Sequence, residues 1–127
     1  RRANLYSTVF GSTEFIKIPI VNYYVDKISK PFKLGNFVID VVHTPGHTEG
    51  SVSLLIGDYL FTGDLIFKGN IGRIDLPGGD YYKMKQSLNL IAKFSPKLKL
   101  LPGHGEPTTI ENELKSNLKF IGAIKCV

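Results

Sequence analysis

Cysteine is almost missing from this 127-residue chain. Cys126 is the only one, a single residue from the end, so no internal disulfide can form and a reducing, cytoplasmic setting is expected. Histidine is nearly as scarce, with His43, His47 and His104 alone, and the single methionine is Met84. The start, Arg1-Arg2-Ala3-Asn4, has no long apolar core behind it, so no secretory signal is expected in this stretch. No apolar run approaches the roughly 20 residues a membrane helix needs, so no membrane partner is expected. Clustered basic residues interleaved with aromatics, the signature of a nucleic-acid surface, are missing too. The 16 Lys and Arg outnumber the 11 Asp and Glu for a net charge of +5, but they are scattered, as at Lys17, Lys27, Lys33, Lys93 and Lys119. That reads as a solvated surface with no nucleic-acid partner, and its mild positive field suits a small anionic substrate. There is no internal repeat and no low-complexity tract.

What is present is an ordinary single-domain composition, 43% hydrophobic and 21% charged, with enough chain to bury a core. Three apolar runs, Phe37 to Val42, Tyr59 to Thr62 and Leu98 to Leu101, read as strands, and each runs into a loop holding a candidate metal ligand. The loops are Thr44-Pro45-Gly46-His47-Thr48, Gly63-Asp64 and Pro102-Gly103-His104-Gly105. Pro45 and Pro102 stop their strands, and the glycine after each permits a tight turn. A divalent cation such as zinc wants about four ligands from imidazole, carboxylate and water, so three ligands at three strand ends point to one shared site. Gly-Asp supplies its own control. Gly57-Asp58, between Ser51–Ile56 and Tyr59–Thr62, is a two-residue hairpin turn, whereas Gly63-Asp64 is followed by Leu65-Ile66-Phe67 rather than by a polar return. His43 lies at a strand end before Pro45-Gly46, so its spacing from His47 is not helical; it reads as structural or supporting rather than as a ligand.

Taken in order, Arg1 to Phe10 reads as a short helix stopped by Gly11-Ser12, and Glu14 to Tyr24 as an irregular segment. Lys33-Leu34-Gly35-Asn36 reads as a turn into the strand Phe37 to His43, whose loose alternation predicts burial on both faces. Phe67 to Gly79 reads as loop, with Arg73 its one fixed cation; Arg73 either meets an anionic substrate or pairs with Asp75 or Asp80 to pin the loop. Asp80 is a natural N-cap for a helix through Phe94 with the stripe Tyr81, Met84, Leu88 and Ile91, ended by Ser95-Pro96. Thr108 and Glu111 have capping-box spacing, and Ile110, Leu114, Leu118 and Ile121 form a further stripe. Strands alternating with sheet-covering helices make an α/β layer.

Four ordered motifs, Thr-Pro-Gly-His-Thr-x-Gly-Ser, Leu-Phe-Thr-Gly-Asp, Gly-Arg-x-Asp-Leu-Pro-Gly-Gly-Asp and Pro-Gly-His-Gly-x-Pro-Thr-Thr-Ile, resemble those of the metallo-β-lactamase-fold hydrolases, most of all the glyoxalase II-like branch. The resemblance runs from about Lys33 to Phe120. It implies part of an αββα sandwich and a site for two divalent ions, zinc first, with iron or manganese as alternatives. His47 would bind the first ion, Asp64 bridge both and His104 bind the second, with a metal-held hydroxide attacking a thioester as in hydroxyacylglutathione hydrolysis. It also implies a role for Arg73 in holding the glutathione part of the substrate, although Asp75 stands where those enzymes usually have an aromatic. The family's His-x-His-x-Asp-His motif does not occur here, so residues 1–127 are expected to be one incomplete domain, its C-terminal part, lacking an N-terminal portion or self-associating without it. Two other readings stay open: a persulfide dioxygenase with one iron, which shares a Gly-Arg-x-Asp loop like Gly72 to Asp75, and a fragment with no catalysis of its own.

Overall fold

A computed structural model of the protein describes residues 30–125 together with Ile20 and Tyr24. The helix expected over Arg1 to Phe10 and nearly all of the segment Glu14 to Tyr24 lie outside the described residues. In chain order the elements are β1 (Phe32–Leu34), β2 (Phe37–His43), β3 (Val52–Ile56), β4 (Tyr59–Gly63), β5 (Ile66–Phe67) and β6 (Asn70–Ile71). They are followed by α1 (Tyr81–Ile91), β7 (Lys99–Pro102), β8 (Thr108–Thr109), α2 (Ile110–Ser116) and α3 (Leu118–Lys125). No helix among the described residues is long and apolar enough to cross a membrane.

The main sheet has the order β1-β2-β3-β4-β7-β8, and β5-β6 forms a separate hairpin. The expected meander is present: β2 pairs antiparallel with β3 and β3 with β4, while the chain returns through α1 to lay β7 parallel to β4. A parallel neighbour requires such a crossover, because a two-residue turn can only reverse the chain. Gly57, with φ of 57°, makes the β3–β4 turn, and Gly35, with φ of 59°, makes the β1–β2 turn. The turn is therefore narrower than Lys33 to Asn36, since Lys33 and Leu34 pair with Val38 and Phe37 as strand residues.

One face of the sheet is sealed. Leu60 and Leu100, side by side in register, are fully buried with Met84, Leu88 and Ile91 of α1 and with Ile110 and Phe120. Each such side chain stabilises the fold by about 1.5–3 kcal/mol relative to exposure. The opposite face carries Tyr59 and Phe61, opposite Ile56 and Leu54, and remains 43% and 42% exposed at the two aromatics. Burial on both faces, expected from the loose alternation of β2, is not found: Ile39 alone is buried, Asp40 to Val42 are half-buried, and Phe37, Val38 and His43 are exposed.

Three further expectations are corrected. Phe67 to Gly79 is not all loop, because Ile66 and Phe67 pair with Ile71 and Asn70. The cap before α2 is Thr109, whose hydroxyl accepts from the Asn112 N–H, while the Thr108 hydroxyl is turned inward to Glu113. The last stripe is not one helix: the chain breaks at Asn117, and the break leaves Leu118 81% exposed and buries Phe120 in its place. At α1 the Asp80 cap is present, accepting from the Lys83 N–H at 3.0 Å, but the helix ends at Ile91 and Tyr81 stays exposed at its start.

Candidate metal centre

β2 and β4 each run antiparallel to β3, and β4 runs parallel to β7, so β2, β4 and β7 share one direction. Their C-terminal ends therefore meet one edge of the sheet, and the loops with His47, Asp64 and His104 all leave from it. Each loop is fixed by backbone contacts. After β2, the Ser87 hydroxyl donates to the Pro45 carbonyl at 2.6 Å and the Asp80 N–H to the Gly46 carbonyl at 2.8 Å, which docks the loop on the start of α1. Gly46 lies so close to this helix that a Cβ would sit 2.4 Å from Met84 Cα. After β4, Gly63 takes φ of 52°, the Gly103 N–H donates to its carbonyl at 2.9 Å, and Leu65 and Ile66 are buried beside Asp64. Gly63-Asp64 is thus no polar return: the half-buried carboxylate is followed by the buried Leu65 and Ile66.

The three side chains come together. His47 Nε2 stands 3.5 Å from Asp64 Oδ2, and His104 Nε2 stands 3.5 Å from Asp64 Oδ1. Among the described residues no three His, Cys, Asp or Glu side chains surround a single point. The layout is instead two imidazoles on opposite oxygens of one carboxylate, which suits two cations sharing it.

His47 shows why a cation belongs there. Its Nδ1 lies 2.7 Å from the Arg73 carbonyl oxygen, which can only accept, so Nδ1 carries the hydrogen and donates. In the neutral ring Nε2 is then a bare lone pair facing a carboxylate oxygen, and two acceptors so placed are satisfied by a hydrogen or a cation between them. The 3.5 Å spacing is long for a charge-assisted hydrogen bond, which runs about 2.7–2.9 Å. Two ligands of one tetrahedral zinc, with bonds of about 2.0–2.2 Å, stand about 3.4 Å apart. A backbone carbonyl holding the far nitrogen is also the usual support of a metal-binding imidazole. The donor set fits a divalent ion.

The two imidazoles are held unequally. His47 has 19% of its side chain exposed, but His104 has 79%, with the Phe67 ring as its neighbour at 6.0 Å between centroids. His43, the last residue of β2, has its Nε2 3.2 Å from the Glu49 carbonyl. Arg73 pairs with Asp75 rather than Asp80, through two hydrogen bonds of 2.8 and 2.7 Å. Those bonds hold the Asp75 carboxyl down at about 2 and raise the Arg73 guanidinium. Across the site's rim Lys68 meets Glu106 at 2.5 Å, a hydrogen bond that raises the Lys68 ammonium and lowers the Glu106 carboxyl.

Two contributors escape a reading of the sequence. The part of Arg73 that touches the site is its carbonyl, which no side-chain pattern can flag. Gly103 is needed for proximity: a Cβ there would lie 2.8 Å from Asp64 Oδ1. A glycine just before a candidate ligand is the only signal that pointed to it.

A sequence model of the metallo-beta-lactamase superfamily matches residues 9–104. The chain belongs to this superfamily. Its relatives include the hydroxyacylglutathione hydrolase GloC of Haemophilus influenzae, 38% identical over 88 residues, a match covering 67% of this chain and 42% of GloC. Among solved structures, TTHA1623 in a di-iron-bound form is similar with a TM-score of 0.77 and 32% identity over 93% of this chain and 58% of its own. ETHE1 from Myxococcus xanthus is similar with a TM-score of 0.70 and 32% identity over 73% of this chain and 44% of its own. The chain thus spans about half the length of the superfamily members it matches, and its described part supplies the half of the fold on which β2, β4 and β7 end.

Proposed function

We propose that the complete protein is a metal-dependent hydrolase of a small anionic thioester of the hydroxyacylglutathione kind, with two divalent ions, zinc first, held by His47, Asp64 and His104. The observation that carries this reading is the carboxylate of Asp64 with one imidazole on each oxygen and the tautomer of His47 set by Arg73. The likeness to GloC supports the substrate class. Bound divalent ions supply Lewis acidity and a water activated near neutral pH. The chain's own residues do the rest. The Arg73 carbonyl accepts from Nδ1 and so turns the Nε2 lone pair of the neutral His47 ring toward the site, and Gly103 leaves room for the Asp64 carboxylate between the imidazoles. The Arg73 guanidinium is the contact proposed for the anionic end of the substrate; its pair with Asp75 is exposed and screened by solvent, so a substrate carboxylate can exchange with it. The lone cysteine supports a reducing, cytoplasmic setting.

A second reading, a persulfide dioxygenase with one iron, is favoured by the likeness to ETHE1 and by the loose hold on His104, since one ion at His47 and Asp64 would leave His104 outside the site. Metal analysis of the complete protein with a thioester hydrolysis assay separates the two. About two ions per chain and hydrolysis are expected, both lost in Asp64→Asn with the fold retained, because an amide of the same shape cannot supply the charge. One iron per chain without hydrolysis favours the dioxygenase, and full metal content in Asp64→Asn refutes the assignment of Asp64.

A further inference from the structure

Away from the site, Glu113 of α2 is a buried acid, 1% exposed, which the Lys68 ammonium feels through space but to which, among the described residues, no cation is hydrogen-bonded. Its carboxylate instead collects three neutral donors: the Gly69 N–H at 2.8 Å, the Asn117 amide at 2.8 Å and the Thr108 hydroxyl at 2.7 Å. Asn117, fully buried at the break between α2 and α3, donates also to the Asn70 carbonyl at 2.9 Å and accepts from the Phe120 N–H at 3.1 Å. Burying a carboxylate costs several kcal/mol unless its lone pairs are met, so an arrangement of this kind has to be built for a purpose that an apolar pair would not serve.

The partners show the purpose. Gly69 lies in the turn of the β5–β6 hairpin and Asn70 opens β6, and each ligand of the metal centre is connected to that hairpin. Asp64 lies two residues before it, the Phe67 ring neighbours His104, and β6 leads through Gly72, whose N–H donates to the Leu65 carbonyl at 3.0 Å, to the Arg73 carbonyl that holds His47. The hairpin has two residues per strand, too few to hold a position by its own pairing. We propose that Glu113, with Asn117, is a positioning residue of the metal centre: it clamps the β5–β6 hairpin and through it sets the His47 imidazole and the wall beside His104. This rests on the metal-centre reading above, with Glu113 itself touching neither metal nor substrate.

The test uses the complete protein in four forms: parent, Glu113→Ala, Glu113→Gln and Ile91→Ala, the last a core variant whose side chain makes no hydrogen bond to the clamp. Two quantities are read, the affinity for zinc and the protected Nδ1–H resonance of His47 in the metal-free protein. Glu113→Ala leaves the Gly69 N–H unmet and is expected to weaken zinc binding about 10–100-fold, as loss of outer partners of metal sites does, and to lose the His47 resonance. Glu113→Gln is expected to keep both, because its amide oxygen still accepts from Gly69 while the Thr108 hydroxyl turns to accept from its NH₂. Ile91→Ala lowers Tm and leaves both unchanged. Should Glu113→Ala not fold, Glu113→Asp, one methylene shorter, draws back from Gly69 and shows the same losses in smaller measure. Parent values in Glu113→Ala or Glu113→Asp, or equal losses in Ile91→Ala, overturn the proposal. A parent that takes up no zinc refutes the hydrolase reading instead, and the His47 resonance then decides the positioning role by itself.

Discussion

Gly103→Ala separates the chemistry of the site from the stability of the fold. The glycine is exposed and its φ lies outside the left-handed region, so alanine meets no backbone penalty there. The new Cβ meets Asp64 Oδ1 at 2.8 Å, where ordinary contact begins at 3.4 Å. Relief requires a retreat of about 0.6 Å, either by the carboxylate or by the loop carrying His104, and metal sites hold their ligand distances to within about 0.2 Å. Either movement changes the spacing between Asp64 and the His104 imidazole. Fold stability, measured as Tm of the metal-free complete protein, is expected to change by no more than about 0.5 kcal/mol, as for other surface substitutions. Zinc affinity, measured by competition with a chelator, is expected to fall about 10–100-fold. A variant that binds zinc like the parent, or one that loses zinc because its metal-free fold has collapsed, refutes the reasoning.

Gly46→Ala is expected to do the reverse. Its Cβ would strike the backbone of α1 at 2.4 Å, so denaturant unfolding should show a loss of about 1–3 kcal/mol or more, and a change under 0.5 kcal/mol contradicts the docking of this loop on the helix. The Asp75 carboxyl, depressed by the Arg73 guanidinium, helps to hold its loop at any pH above its unfolded value of 3.8 and releases it as pH falls toward about 2. Carboxyl resonances should place its midpoint near 2, and Arg73→Gln should return it to the ordinary range; a midpoint near 3.8 in the parent means the pair does not form in solution. The 127 residues alone are expected to bind no two-metal centre and to self-associate through the sheet face that carries Tyr59 and Phe61. Metal analysis and sedimentation of the chain, verified by mass, check this, and a monomeric chain holding two ions contradicts it.

The parts of this molecule that could be read from its sequence are those in which one residue type forces one geometry. Proline after an apolar run, glycine in a reversing turn and aspartate before a helix each act within a few residues, so β2, the β3–β4 hairpin and the Asp80 cap appear where expected. The same locality brought out His47, Asp64 and His104 as strand-end residues. What stayed hidden depends on distance along the chain. The break at Asn117 carried a local signal that the apolar stripe overrode, since asparagine is a favoured cap and its Oδ1 accepts from the Phe120 N–H three residues on, but its bond to the Asn70 carbonyl, 47 residues earlier, has none. Thr108 lost its capping role to Thr109 for a similar reason: a buried Glu113 drew its hydroxyl inward. The β5–β6 hairpin has only four paired residues, too short for any periodicity, and takes its shape from the clamp behind it.

The unequal hold on the two imidazoles bears on the order in which the site can fill. His47 is already in place: its ring is mostly buried and its Nδ1 is bonded, so binding an ion at Nε2 orders nothing new. His104 is mostly exposed beside a single aromatic ring, and fixing its rotamer must be offset by the metal bond itself. The free energy of that ordering is subtracted from one side of Asp64 only. Two ions that share one carboxylate also repel each other, and the second to arrive meets that repulsion in full. Both effects act in the same direction, so under the proposed two-ion site a zinc titration is expected to fill the His47 side first and the His104 side second and more weakly, even though the two nitrogens stand at the same 3.5 Å from their oxygens.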